Sequence, residues 1–168
     1  MQIMVTIMAA PPDAAAITTA LNQMLTRFRD NYTDAPAWQL RRKPGGIREL
    51  DLLVQGLRLQ HADLFSHTAD PPEAILDTLH AATRLPDELA HALKDAAQLF
   101  EALHQALRLI RGTGSNSDDQ LSIAAKKFVL TSCDCPDEVT LNTSLEGHRS
   151  TVMTCLLYTS DAADECLC

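Results

Sequence analysis

The sequence predicts an all-α fold, a multi-helix bundle entered through an N-terminal connector helix, and three observations carry that prediction. Hydrophobic residues make up 46% of the 168 residues but aromatics only 4%, so the core has to be mostly leucine and alanine, which are strong helix formers. β-Branched residues cluster only near the two ends. Between the ends, apolar residues recur at spacings of three and four, the signature of helices with one buried face. A chain of this length can bury one core.

The elements follow in order from local signals. Pro11 and Pro12 with Asp13 form a helix start, and Ile17, Leu21, Met24, Leu25 and Phe28 make a stripe ending near Asn31. Thr33 to Pro36 is a linker. Pro44 cannot continue a preceding helix, and Gly45 and Gly46 supply the entry turn of the next one, with Gly46 expected to launch it at positive φ. That helix runs from about Ile47 to Leu64, with Ile47, Leu50, Val54 and Leu57 on one stripe. Asp70-Pro71-Pro72 starts a short helix carrying Ile75, Leu76 and Leu79. Pro86 opens the longest helix, in which Leu89, Leu93, Ala96, Phe100, Leu103, Leu107 and Ile110 form a packing seam. Gly112 to Ser117 reads as a flexible break, Leu121, Ala124, Ala125 and Phe128 as the apolar face of another helix, and Pro136 to Met153 as the last.

The stretch Arg41 to Gln55, RRKPGGIRELDLLVQ, holds the chemistry. Glu49 and Asp51 fall at the start of the helix, where the partial positive charge favours carboxylates, and Arg41, Arg42 and Lys43 stand just outside it. Exposed N–H groups at such a start, with basic side chains nearby, can receive a phosphate or a carboxylate. Plain capping is the simpler reading of the same residues.

GGIRELDLLVQ is similar to the GG-x-x-[DE]-I-E-F-x-x-Q motif of the glutamine synthetase adenylyltransferase/deadenylylase family. Gly45, Gly46, Ile47, Arg48, Glu49, Val54 and Gln55 match forms of it, whereas Arg41 stands where the family usually has lysine, Asp51 where it has glutamate and Leu52 where it has phenylalanine. The flanking sequence resembles the same family: the lead-in from Ala10 to Leu40, then LRLQHADLF and ALKDAAQLFEALHQALRLIRG. The resemblance implies a helical bundle that follows a nucleotidyltransferase domain, in the second, adenylylating half of the enzyme. It further implies a cytoplasmic enzyme that uses ATP and Mg2+ to transfer AMP to a tyrosine of glutamine synthetase and removes it again, under a PII-type signal protein and glutamine. The expected divisions are residues 1–35, connector helix and linker; 36–112, glycine-motif bundle; and 113–154, its C-terminal helices. Arg41, Gly45 and Gly46 are the residues expected to face the nucleotide, with Glu49 and Asp51 holding the turn or a basic partner. A stand-alone helical interaction or regulatory module is the alternative, and the genomic sequence upstream of Met1 would discriminate them.

Cys155 to Glu165, CLLYTSDAADE, resembles the translation of a transposase-type sequencing adapter read through as coding sequence. Residues 155–168 are therefore expected to be non-native and not to pack on the bundle. That leaves Cys133 and Cys135, a C-x-C pair short of the four ligands of a zinc site, which read as ordinary reduced thiols near a turn. His61, His80, His91 and His104 lack the i, i+4 pairing of a helical metal site. The net charge of −8 argues against a nucleic-acid surface, and no apolar run reaches the roughly 20 residues of a membrane span. Met1 to Ala10 is apolar but lacks the basic n-region of a signal peptide. A strand-borne paired-aspartate motif, which holds magnesium and nucleotide phosphates in nucleotidyltransferases of this kind, does not occur; Asp118-Asp119 sits in a polar loop. No catalytic or metal-ligating residue is expected in the chain, and no bound cofactor.

Overall fold

The computed structural model describes residues 14–32, 35–65, 70–111 and 121–164. Six α-helices lie among them: α1 (Ala14–Arg29), α2 (Ile47–Gln60), α3 (Pro72–Ala81), α4 (Asp87–Arg111), α5 (Ile123–Ser132) and α6 (Glu138–Asp164). Two 3-10 turns, Leu40–Arg42 and Ala62–Leu64, flank α2. No strand occurs among the described residues, so the all-α class holds. The expectations for Met1 to Ala10, for the Gly112 to Ser117 break, for Asp118-Asp119 and for Cys166 and Cys168 lie outside the described residues.

The packing centre is α4, which touches α2, α3, α5 and α6. Its seam is inward: Leu93, Ala96, Phe100 and Leu103 are fully buried, and Leu89 and Ile110 pack at the margins. Burying a leucine or phenylalanine this completely is worth roughly 1.5–3 kcal/mol, and α4 does so once per turn. α1 lies outside this centre, against α2 and α6. At its other end α2 is tied to the start of α3, where the buried Arg58 donates to Asp70 at 3.3 Å and stacks over the Phe65 ring.

Four local expectations change. The motif helix stops at Gln60, because His61 turns out of helical geometry (φ −118, ψ 41), and Ala62–Leu64 continues as a 3-10 turn. The longest helix is α6, at 27 residues, against 25 for α4. In α5 the inward residue is Val129, while Phe128 is 45% and Ile123 89% exposed. Ser122 caps that helix by accepting from the Ala125 N–H, which leaves Leu121 before its start, and Val129 and Cys133 then share the buried face at i, i+4. The fourth change concerns the tail. α6 runs to Asp164, and Cys155 and Leu156 are buried in the core, continuing the stripe of Leu141, Leu145 and Val152 at helical spacing. The beginning of the adapter-like segment therefore packs on the bundle.

Candidate functional site

The chain approaches the glycine turn under tight constraint. Trp38 is buried and its indole N–H donates to Asn142 Oδ1 on α6 at 2.9 Å. Lys43 is extended, Gly45 takes φ 68, and Gly46 is the N-cap residue at φ −83, ψ −168. The left-handed residue is thus Gly45, and the expectation of positive φ at Gly46 is corrected. Each glycine also permits a close backbone approach. A β-carbon on Gly45 would lie 2.2 Å from the Arg149 carbonyl oxygen of α6, and one on Gly46 would lie 1.9 Å from the Leu40 carbonyl oxygen. Arg149 closes the contact by donating its Nε–H to the Pro44 carbonyl at 2.8 Å.

Glu49 lies directly behind the turn and is fully buried. Its Oε2 accepts the Gly45 N–H at 3.0 Å, and its Oε1 accepts the Tyr32 hydroxyl at 3.0 Å and the Arg29 Nε–H at 3.4 Å. Buried carboxylates are stable only with such partners. Burial first, and then the charge of Glu49 and the hydrogen bond to it, push the Tyr32 phenol well above its ordinary value of 10. The Gly46 N–H is also taken, by the Lys43 carbonyl at 3.1 Å. Both glycine N–H groups are thus engaged within the turn itself.

The other half of the motif faces outward. Arg41, Arg48, Asp51 and Gln55 stand along a groove of about 620 Å³ between α1 and α2. Ile17, Leu21, Met24 and Phe28 form one wall, and Leu52 and Leu59 belong to the other. Gly56 lets the helices close, since a β-carbon there would lie 2.5 Å from a Leu21 methyl carbon. Asp51 is exposed at the groove edge, yet its carboxyl is held above the usual carboxylate range. Crowding by the surrounding protein is the main cause; nearby Glu101 adds to it, while Arg41 and His104 oppose it. His104 is shifted down, by the same crowding and then by Arg41. The motif is therefore divided by orientation, with Gly45, Gly46 and Glu49 inside and Arg41 and Asp51 outside. Tyr32, Asn142 and Arg149, which complete the turn, carry no spacing signal, because they come from separate elements.

The remaining candidates hold little chemistry. Cys133, Cys135 and Cys155 are free thiols, and burial pushes Cys133 up to about 11, so its nucleophilic thiolate is scarce at neutral pH. No group of three or more His, Cys, Asp or Glu residues able to hold a metal occurs among the described residues. His80 pairs with Asp87 at 2.7 Å and its ring meets His91 edge-on, tying α3 to α4 on the surface. No helix among the described residues is long and apolar enough to cross a membrane.

Fold and site together define an all-α helix-bundle domain organised around a glycine-capped motif helix. Residues 19–155 match the family model described as GlnD PII-uridylyltransferase. With that span of the chain covered, the chain belongs to this family. Its curated relatives include proteins named bifunctional glutamine synthetase adenylyltransferase/adenylyl-removing enzyme. One from Rhodopseudomonas palustris (strain TIE-1) is 29% identical over 157 residues, covering 90% of this chain and 15% of the relative. Those from Bradyrhizobium sp. (strain BTAi1) and Xanthobacter autotrophicus (strain Py2) are 28% identical over 152 residues and 27% over 149; the matches take in 90% and 88% of this chain and 15% of each relative. The chain thus spans about 15% of the length of the curated relatives it matches. No solved structure matches it.

Proposed function

We propose that the chain is the helical domain of a cytoplasmic bifunctional glutamine synthetase adenylyltransferase, placed after a nucleotidyltransferase domain in the second, adenylylating half. The whole enzyme would move AMP from ATP to a tyrosine of glutamine synthetase and remove it, regulating nitrogen assimilation in response to a PII-type signal protein and glutamine. ATP and Mg2+ would be held by the nucleotidyltransferase domain, and this bundle would shape and position that domain. The observation that carries the reading is the two-sided motif. Gly45, Gly46 and Glu49 are consumed in building a rigid helix start, while Arg41 and Asp51 stand at the surface with no hydrogen bond or contact ion pair among the described residues. The outward pair is therefore open to a neighbouring domain, whereas the inward residues are not.

The test is a graft. Residues 19–155 of this chain are put in place of the matching segment of the Rhodopseudomonas palustris enzyme, and transfer of AMP to glutamine synthetase is measured with ATP and magnesium. The chimera is expected to transfer AMP and the present chain by itself to transfer none. A folded but inactive chimera overturns the proposal, as does transfer by the isolated chain; the latter would make the bundle an enzyme in its own right.

A further inference from the structure

We propose that the groove between α1 and α2 docks a helix from outside these 168 residues, amphipathic along its length and acidic at one end. The groove has a built polarity. α1 and α2 run antiparallel, so Phe28 meets Arg48 at one end, with the guanidinium 5.8 Å above the ring, and Leu21 meets Gly56 near the middle. Ala16 and Leu59 line the far end. Both cations of the lining, Arg41 and Arg48, are on the exposed surface, and Arg48 at least stands at the Phe28 end. Neither guanidinium makes a hydrogen bond or contact ion pair with a described residue; Arg41 feels Asp51 only at longer range.

Asp51 and Gln55 are the other polar residues of the lining, so the two arginines outnumber its single carboxylate; the rest is apolar, and Met24 keeps 43% of its surface exposed within it. From Ala16 to Phe28 the wall is about 18 Å long at 1.5 Å per residue, the length of roughly three helical turns. An incoming helix would bury an i, i+3, i+4, i+7 stripe along Met24, Leu21 and Leu52 and bring carboxylates to Arg41 and Arg48. Charge complementarity selects acidic over basic partners and fixes their direction in the groove.

The probe is a fluorescein-labelled synthetic peptide of about 14 residues, with leucines at helical spacing and two glutamates in one terminal turn. Binding to the whole chain is followed by anisotropy and is expected to saturate and to weaken with salt. The Arg41→Glu/Arg48→Glu double variant is expected to lose roughly ten-fold or more in affinity. Replacing the glutamates of the peptide by lysines should restore binding to that variant but not to the unaltered chain. Met24→Glu should weaken both peptides. These three side chains are exposed, so each variant is expected to fold, and circular dichroism checks that it does. Absence of saturable binding, or equal affinity for the acidic and basic peptides, overturns the proposal. So does a dimer in sedimentation velocity that Met24→Glu dissolves, which would make a second copy the occupant. A large gain in peptide affinity on deleting residues 1–13 would make that segment the occupant and equally overturn it.

Discussion

At Gly45 a β-carbon would meet the Arg149 carbonyl oxygen and the backbone is left-handed, so two penalties fall on one residue. Gly45→Ala is expected to cost at least about 2 kcal/mol in urea denaturation. Gly46 has an ordinary φ, yet the Leu40 carbonyl oxygen occupies the place of its β-carbon. Gly46→Ala should therefore destabilise by roughly 2 kcal/mol as well, and a neutral result would show that the Leu40 turn gives way. Tyr32 makes the same network sensitive to alkali. The folded state holds the phenol protonated beyond the point, about pH 10, at which the unfolded chain releases it. The raised value thus contributes stability that is fully present below about pH 10 and is lost as the pH rises through the folded-state value. Tyr32→Phe removes the hydrogen bond to Glu49, costing about 1–2 kcal/mol near neutrality, and should flatten the fall in stability above pH 10. A fall equally steep in the variant would place its origin elsewhere.

Element ends show where sequence is and is not sufficient. α2 to α4 were legible from apolar spacing and prolines, because each has a strong stripe facing one core; α1 was legible as a helix, but Met24 of its stripe is 43% exposed. The face of α5 was misread since its ten residues are apolar on more than one side, and only contact with α4 selects Val129 over Phe128. The site was half legible. RRKPGGIRELDLLVQ announced a special helix start, but nothing local says that α6 presses its backbone on Gly45, because that contact joins residues about a hundred positions apart. Thr83, just beyond α3, holds φ 56 with a β-branched side chain that disfavours it. Thr83→Gly should stabilise by roughly 1 kcal/mol, seen as a rise in Tm of about 2–4 °C. At the other end of the chain, removing residues 155–168 takes Cys155 and Leu156 from the core. A chain ending at Thr154 should lose more than about 2 kcal/mol, and an unchanged Tm would show that the tail does not belong to the fold.

The whole molecule divides stability from surface chemistry along one short motif, and this division can be tested in a working enzyme. Gly45 and Glu49 act through the contact of α2 with α6 and Tyr32, so altering them changes how much protein is folded. Arg41 is exposed and has no contact ion pair among the described residues, so its removal should leave stability within about 0.5 kcal/mol. In the chimeric adenylyltransferase, Arg41→Ala is expected to raise KM for ATP or for glutamine synthetase, or to lower kcat, by roughly ten-fold if the outward face engages the nucleotidyltransferase side. Gly45→Ala should instead lower the active fraction and the Tm while kcat per folded molecule and KM stay fixed. The two variants move different readouts because one removes an interaction at the surface and the other removes the platform that presents it. Unchanged kinetics for Arg41→Ala alongside a destabilised Gly45→Ala would confine the motif to building the bundle.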